Sequence, residues 1–417
     1  MSSWAQEIRL LLRSRLAPAA LILLALLAAL ALGAGLSEVS RQRDQIAAIP
    51  AAQAQDIGPV AEWIDAAGQD PGRAAYYSFH PTWDAPSSLA FAALGMRDVS
   101  PFILRVRALG LEAQIYDGDI INPELALPGR FDFAFVLVFL APLFVIILFH
   151  DLLSSEREAG RLRMLEALPG GRRALWLRRA CLRFGLLFVA LAIPLCIAAG
   201  VEGVAALPLL AVLGLVAAYL LFWIFLSWLI GRMRWSSTAN AASLAAIWIL
   251  WVLVLPTLAH VAINRAVPVG EGTEIAVAQR EAVNRAWDIP RDETMRQFYA
   301  SHPHWAHSPP LPDGFHYKWY FAFHQVGDES VARQVAAYRG GLDRRAELAE
   351  RLGWLMPSVG VQLLLTRMAD TDLAAQLAYQ DRVRAYHRTL REFYYGYLFR
   401  DRPFAKADFA RAPRFPE

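Results

Sequence analysis

Three histidines near residue 300 are the residues whose types and spacing could most directly bind a metal. The segment reads His302-Pro-His304-Trp-Ala-His307, and imidazole nitrogen is a common ligand of copper and zinc. The pattern is weak, because Pro303 separates the first two histidines and no cluster of cysteine or methionine accompanies them. The His-Glu-x-x-His signature of zinc hydrolases does not occur. Metal binding at His302, His304 and His307 is therefore a minor alternative to a loop of packing or interfacial histidines.

The sequence lacks the residues of a phosphate-binding loop. That motif, Gly-x-x-x-x-Gly-Lys-Ser/Thr, needs a lysine directly after a glycine, and no Gly-Lys pair occurs in the chain. The only lysines, Lys318 and Lys406, both lie in the C-terminal polar region. We therefore predict that the chain is not an enzyme and that it binds no cofactor directly.

Apolar helices are the elements that must position any functional residue. Hydrophobic residues make up 56% and charged residues 19% of the chain, which is too apolar for an ordinary soluble protein. About 20 apolar residues in a helix match the roughly 30 Å hydrocarbon core of a bilayer. Five runs are long enough to span it, which predicts a mainly α, polytopic membrane protein. They are Leu16–Leu36, Phe131–Phe149, Ala180–Gly200, Val204–Ile230 and Ser236–Ile263.

The first run could also be the core of a signal peptide, but its length favours a retained span. Arginines cluster in segments 1–15, 150–179 and 231–235. All three face the cytoplasm in one topology, as the positive-inside rule requires. The polar regions 37–130 and 264–417 then lie outside, as a first and a second extracytoplasmic domain. The net charge of +3 gives no case for nucleic-acid binding.

The second outer region contains predicted helices of its own. Hydrophobic periodicity indicates a helix over 274–299 with a break near Ile289–Pro290, and another over 330–351. Residues 352–368 form a less strongly apolar stretch that is rather short for a full membrane span. We expect a re-entrant or interfacial helix near the outer leaflet there, or a buried helix of the outer domain.

The loop at 150–179 carries the most informative pattern. A predicted amphipathic helix over 155–168 places Leu162, Leu165 and Leu168 on one face and charged residues on the other. A solvated connector between two spans would need no such helix. A short helix beside the membrane is suited to docking into a groove on a soluble partner. We therefore predict that this loop binds a partner.

The same loop resembles the one after the second helix of ABC-2-type (type V) ABC transporter permease subunits. In that family the loop contacts the ATPase, so the resemblance implies an ATPase-coupling role for its matching residues. These are Asp151, Ser155, Glu156, Arg157, Glu158, Gly160, Leu162 and Leu165. The chain is most similar to the branch with large outer domains, often described as involved in copper-enzyme maturation. Outer segments 80–89, 97–101, 122–124, 302–305 and 318–325 carry that likeness.

The resemblance implies a multi-pass permease subunit of the bacterial inner (cytoplasmic) membrane. Its expected partners are a cytoplasmic ABC ATPase dimer, which binds the ATP and Mg²⁺, and a second permease copy or a sister permease. Spans rich in Trp, Leu and Ala fit an apolar, amphiphilic or envelope-related cargo better than an ion. The alternative is a non-transporting subunit that transmits mechanical work to a periplasmic partner.

One feature departs from the family pattern. Family members usually have a sixth span, and nothing after Ile263 clearly supplies it. The alternatives are a five-span subunit, a sequence that stops before the sixth helix, and a crossing by residues 352–368.

Overall fold

Helices dominate the computed structural model, which describes residues 3–116, 131–166 and 171–416. In this part of the chain the strands form one antiparallel pair, β1 (His80–Trp83) with β2 (Ile103–Val106). Five helices among the described residues are long and apolar enough to cross a membrane. The mainly α fold predicted from the sequence is confirmed, and several of its helices suit a membrane-embedded protein.

The N-terminal part of the chain supplies the first two apolar helices. Its helices are α1 (Ser3–Arg13), α2 (Leu16–Ala47), α3 (Ile49–Ala66), α4 (Pro71–Tyr77), α5 (Glu112–Tyr116) and α6 (133–149, with a π-helical turn at Val136–Leu140). α2 and α3 form one long rod that continues well beyond the apolar run. The reason is local, because residues 37–49 contain no glycine or proline that would end the helix.

The central part of the chain supplies the other three apolar helices. Its elements are α7 (Ser154–Glu158), α8 (Leu162–Glu166), α9 (Gly171–Val201), α10 (Ala206–Gly231) and α11 (Ser237–Ala266, with a π-helical turn at Ile249–Val254). Helices α2, α6, α9, α10 and α11 lie at the five predicted runs. We call them the apolar bundle.

Helices also dominate the C-terminal part. Its helices are α12 (Gly272–Arg285), α13 (Arg291–Ser301), α14 (Tyr317–Ser330), α15 (Ala332–Gly353), α16 (Pro357–Met368) and α17 (Leu373–Leu398). The predicted break at Ile289–Pro290 separates α12 from α13, because a proline disfavours helical backbone at the preceding residue. The helix predicted over 330–351 is α15.

The two outer regions share a single hydrophobic core. Val106 and Leu111 from the first region are buried in one cluster with Phe298, Phe321 and Tyr394 from the second. The sequence predicts two separate outer domains, whereas the described residues of both regions pack into one domain. We call it the outer domain, after the predicted topology. Apolar side chains of the first region are thus buried against helices of the second region.

A buried ion pair joins the two regions inside that outer domain. Arg391 of α17 lies 2.8 Å from Asp328 of α14 and also donates to the carbonyl of Leu109 at 2.6 Å. Asp328 in turn accepts from the backbone N–H of Leu111 at 2.9 Å. Burial raises the pKa of Asp328, and the Arg391 guanidinium opposes that rise. The pair therefore holds the segment around residue 110 against two helices of the second region.

An apolar loop of the outer domain packs into the top of the bundle. Residues 89–94 are buried in the same cluster as α2 and α6. Phe91 crosses α2 at Gly35, where a Cβ atom would overlap the Phe91 carbonyl oxygen. Asp132, at the start of α6, accepts from the backbone N–H of Leu94 at 2.9 Å. The loop is thus held from two sides.

Helices α15 and α16 form a hairpin that returns the outer domain to the bundle. Val361 and Leu365 of α16 are buried in the bundle cluster, and α15 and α16 cross at Gly353 and Gly360. α16 has 12 residues and is therefore about 18 Å long, too short for a bilayer core. Among the alternatives for residues 352–368, this length disfavours a full crossing of a membrane.

Three buried histidines make the stability of the outer domain sensitive to acid. Burial lowers the pKa of His80 to about 4 and that of His324 to about 3, and it holds the pKa of His387 well below its usual value. An unfolded histidine takes up its proton near pH 6.5. The unfolded chain therefore binds more protons than the folded chain below that pH, so the free energy of unfolding falls between about pH 6.5 and pH 4.

We expect the midpoint of thermal unfolding of the full-length protein to fall between pH 7.5 and pH 5. At pH 5 the lowered pKa values of His80 and His324 cost about 2 kcal/mol each, and His387 contributes in the same direction. His324→Gln should flatten the pH dependence, since it removes one of the three contributions. The exposed His307 serves as the control, because His307→Gln should leave the profile unchanged. A His324→Gln profile as steep as that of the wild type would contradict the prediction.

Candidate functional site

The candidate site is the loop that joins α6 to α9. It forms two short helices, α7 and α8, separated by Gly160. Gly160 has a φ of +70°, in the left-handed region that glycine adopts readily. The single helix predicted over 155–168 is therefore wrong, because the glycine ends the first turn of helix. Leu168, predicted on the same face, lies outside the described residues.

Two of the predicted coupling residues fasten the loop to the turn between α10 and α11. Arg157 donates to the carbonyls of Met233 and Gly231 at 2.8 and 3.2 Å. Glu158 accepts from the backbone N–H of Ser237 at 2.7 Å, at the N-terminus of α11. A cation at the end of α10 and an anion at the start of α11 both match the helix dipoles. The two side chains therefore bind within the chain itself.

A third coupling residue, Glu156, belongs to an ionic cluster that joins three helices. Its carboxylate lies 3.1 Å from Arg179 of α9 and 2.8 Å from Arg161. Arg179 also lies 3.0 Å from Glu7 of α1. Only 12–14% of the Glu7, Glu156 and Arg179 side chains is exposed. Glu7–Arg179–Glu156, which we call the inner ionic cluster, thus ties α1, α7 and α9 together.

A cavity of about 250 Å³ lies beside the inner ionic cluster. Leu11 and Leu182 line its apolar side, and His150, Asp151 and Arg183 line its polar side. That volume has room for several waters. Water that enters it reaches the ionic cluster, so we take each contact of the cluster to contribute no more than a charged hydrogen bond, about 1.5–3 kcal/mol.

Sequence reasoning missed Glu7 and Arg179 as members of the site. Arg179 was one of many arginines that set the topology, and nothing in its local pattern distinguishes it. Glu7 carried a usable signal, because it is the one acidic residue in the basic helix α1. The separation of 172 positions between them explains why no local motif connects the two.

Arg179→Gln should release α1 from the loop. Because the adjoining cavity has room for water, we expect amide hydrogen exchange across α1 to accelerate only about fivefold to tenfold, the equivalent of roughly 1 to 1.4 kcal/mol. Arg178→Gln is the matched control and should change exchange in α1 less than about twofold. Adding Glu7→Gln to Arg179→Gln should bring little further change, since the contact is already lost. Fully additive effects would rule out a direct Glu7–Arg179 contact.

The part of the loop that faces away from the protein lies around Gly160. Ala159, Gly160, Arg161 and Arg163 are exposed, and 64% of the Met164 surface is exposed. Nothing lies within 4 Å of the position of a Cβ on Gly160. We call residues 159–164 the outward patch.

The remaining predicted coupling residues lie around this patch. Leu162 and Leu165 are half-buried, and the Ser155 hydroxyl donates to the carbonyl of Asp151 at 2.7 Å within its own turn. Asp151 itself lies 3.8 Å from Arg183 of α9. These residues shape the loop from inside, whereas Met164 and its arginine neighbours present its free surface.

The C-terminal part of the chain is similar to a protein family. Residues 273–416 match a family described as "Domain of unknown function (DUF3526)". The match spans α12 to α17, about a third of the chain, and does not include the loop. No curated protein and no solved structure matches the chain.

The three predicted metal-binding histidines lie in the matched region, and the ring centroids of His302 and His304 are 6.1 Å apart, but the three do not form one site. The His302 ring stacks on Phe298 with 4.7 Å between centroids and 3° between planes, and burial lowers its pKa. His304 faces Glu392 at 3.2 Å, and His307 is exposed. Among the described residues, no group of three or more His, Cys, Asp or Glu side chains could hold a metal ion. The arrangement gives the metal-site alternative no support.

Proposed function

We propose that this chain is the membrane-spanning subunit of an ABC-2-type transporter of the bacterial inner membrane. The apolar bundle crosses the bilayer, with the α6–α9 loop in the cytoplasm and the outer domain on the opposite side. A partner ATPase dimer binds ATP and Mg²⁺ and docks on the loop, and two permease subunits form the transporter. The cargo is apolar, amphiphilic or envelope-related.

The fastening of the loop is the observation that carries this proposal. Side chains of α7 reach the α10–α11 turn through Arg157 and Glu158. Through Glu156 and Arg179 they also reach α9 and α1. A force on α7 is therefore passed to α1, α9, α10 and α11, in addition to α6, which leads into it. A plain connector between two spans would need none of these contacts.

The outward patch supplies the surface on which an ATPase docks. It combines an exposed methionine, Met164, with Arg161 and Arg163. Methionine and arginine are both enriched in protein interfaces, and the flexible thioether of methionine adapts to a groove on a partner.

The test is recovery of an ATPase with the tagged full-length protein from its native membranes. Met164→Glu places a charge in the outward patch and should lower the amount of recovered ATPase by about tenfold, the equivalent of 1.4 kcal/mol. Val277→Glu is the control, because it places the same charge on an exposed apolar residue of the outer domain, away from the loop. It should leave recovery within about twofold of the wild type.

Two results would contradict the proposal. One is that no protein with vanadate-sensitive ATP hydrolysis is recovered with the wild type. The other is equal loss of ATPase in both variants, which would mean that the outward patch is not the docking surface.

Mechanical transmission without transport is the second candidate, and the α2–α3 rod favours it. The rod has 51 residues and is about 75 Å long, much longer than a bilayer core is thick. Arg43 on the rod lies 2.6 Å from Glu202 in the α9–α10 turn. Gln42 accepts from Arg97 of the outer domain at 2.8 Å. Movement of the bundle would therefore carry the outer domain with it.

Proteoliposomes that contain the permease and its ATPase distinguish the two candidates. Stimulation of ATP hydrolysis by an amphiphilic cargo supports transport. Stimulation only by an added periplasmic protein supports transmission.

A further inference from the structure

Helix α11 is interrupted where a π-helical turn meets a proline. The turn covers Ile249–Val254, and its last backbone bond runs from the N–H of Leu255 to the carbonyl of Leu250. If the same i to i−5 pattern continued, the carbonyl of Trp251 would accept from the N–H of residue 256. Residue 256 is a proline and has no N–H. The Trp251 carbonyl therefore lacks a partner within its own helix.

The outer domain supplies the missing partner. The hydroxyl of Ser358, in the first turn of α16, donates to the Trp251 carbonyl at 2.9 Å. Ser358 is only 5% exposed. A serine in the first turn of a helix commonly caps a backbone N–H of that helix, but this one bonds to a different helix. The break in α11 is closed by the tip of the α15–α16 hairpin.

Helix α6 has the same construction, with a π-helical turn at Val136–Leu140 and a proline at 142. Because Pro142 has no N–H, the helix before it again has more carbonyl acceptors than N–H donors. The hydroxyl of Tyr219 in α10 donates to the carbonyl of Val138 at 2.9 Å. The indole N–H of Trp248 in α11 donates to the carbonyl of Phe139 at 3.1 Å. The neighbouring helices therefore donate to carbonyls of this turn.

The two breaks are therefore connected in series. α6 leads directly into the loop and contacts α11 through Trp248, and α11 contacts α16 through Ser358. After α16, Thr371 binds the outer loop in two ways. Its hydroxyl donates to the carbonyl of Ala93 at 2.8 Å, and its carbonyl accepts from the N–H of Met96 at 2.7 Å. The path runs from the loop to the outer domain.

We propose that the α15–α16 hairpin is a latch on a hinge in α11, with Ser358 as its positioning residue. Ser358 holds the turn at Ile249–Pro256 in its present bend, and a change of bend at Pro142 or Pro256 breaks or remakes the bond. Proline and π-helical turns are the usual sites of sharp helix bending. In lipid no water is available to replace the Ser358 hydroxyl as the donor to the Trp251 carbonyl. The Ser358–Trp251 hydrogen bond therefore controls the bend of α11. The inference rests on the proposed function, because the bilayer around α11 is part of that proposal.

The test is a double-mutant cycle between Ser358 and Pro256, measured by amide hydrogen exchange of the full-length protein in lipid nanodiscs. Ser358→Ala should accelerate exchange in residues 252–263 and 357–368 about fivefold, the equivalent of one hydrogen bond of ordinary strength. Pro256→Ala returns a backbone N–H to α11. In that background Ser358→Ala should change exchange less than about twofold, because the carbonyl then has its own partner. Ser330→Ala, which removes a hydroxyl bonded to Gly327 at 2.7 Å in the outer domain, is the control.

A second pair of variants leaves the proline in place. Ser358→Thr keeps the hydroxyl and should behave like the wild type, whereas Ser358→Val, of similar shape, should behave like Ser358→Ala. Equal exchange in the Thr and Val variants would overturn the latch. An effect of Ser358→Ala that is the same with and without Pro256 would overturn it too. Neither measurement involves an ATPase, so failure to recover an ATPase would refute the proposed function without affecting this result.

Discussion

Arg391→Met is expected to lower the midpoint of thermal unfolding of the outer domain by roughly 10 °C. The substitution leaves the Asp328 carboxylate buried without its cation, and removal of one partner from a buried ion pair costs about 3–5 kcal/mol. It also removes the donor to the Leu109 carbonyl. Tryptophan fluorescence of the full-length protein is a suitable measurement, since the outer-domain core contains Trp305 and Trp319.

Two control variants test this prediction. One changes another arginine of α17, and the other removes both charges of the Arg391–Asp328 pair. Arg388→Met removes an exposed arginine of α17 and should shift the midpoint by less than about 2 °C. Asp328→Asn combined with Arg391→Met should recover part of the loss, because neither buried charge then remains. The penalty of Arg391→Met alone should also shrink as the pH falls. With the guanidinium gone, the already raised pKa of Asp328 rises further and the carboxyl becomes neutral. A double variant less stable than the single one would show that the ion pair is not what holds these segments together.

Gly35→Ala is expected to destabilise the apolar bundle by about 3 kcal/mol or more. The added methyl group would overlap the carbonyl of Phe91. The loop has little room to withdraw, since Ala134 donates its N–H to the Ala92 carbonyl at 3.0 Å. Thermal unfolding in detergent, followed by the loss of monodisperse protein in gel filtration, measures the effect.

Gly33→Ala is a control that should change stability in the opposite direction. Gly33 lies one half-turn earlier in α2, and nothing is within 4 Å of its Cβ position. Alanine is favoured over glycine within a helix by about 1 kcal/mol, so this variant should be neutral or slightly more stable. If both variants behaved alike, the crossing of α2 by the Phe91 loop would be refuted.

The local pattern of the sequence was sufficient to predict the main helices. The apolar runs predicted the five long apolar helices, because the length and composition of a run are properties of neighbouring residues. Pro290 predicted the break between α12 and α13, and the periodicity of 330–351 predicted α15. The loop at 150–179 was only partly predictable. Its residues were recognised, but the break at Gly160 depends on a single left-handed φ that no periodicity reports.

The candidate site required the tertiary structure. The resemblance to a permease family implied a coupling role for Glu156, Arg157 and Glu158, and the structure adds that their side chains bind other parts of this chain. Met164 and its neighbours form the outward patch of the loop. Arg179 and Glu7 entered the site because α9 and α1 pack side by side, which neither local sequence specifies.

The sequence by itself determined a mainly helical chain with apolar helices, an arginine-rich loop after the second one and no phosphate-binding lysine. Tertiary structure decided that the two outer regions share one core, that Arg391 meets Asp328, and that Ser358 closes the break in α11. The physical reason is the range of the interactions. Helix formation and hydrophobic periodicity act within a few turns, whereas these contacts join residues 63 and 107 positions apart. Such contacts form only when the whole chain has packed around its cores.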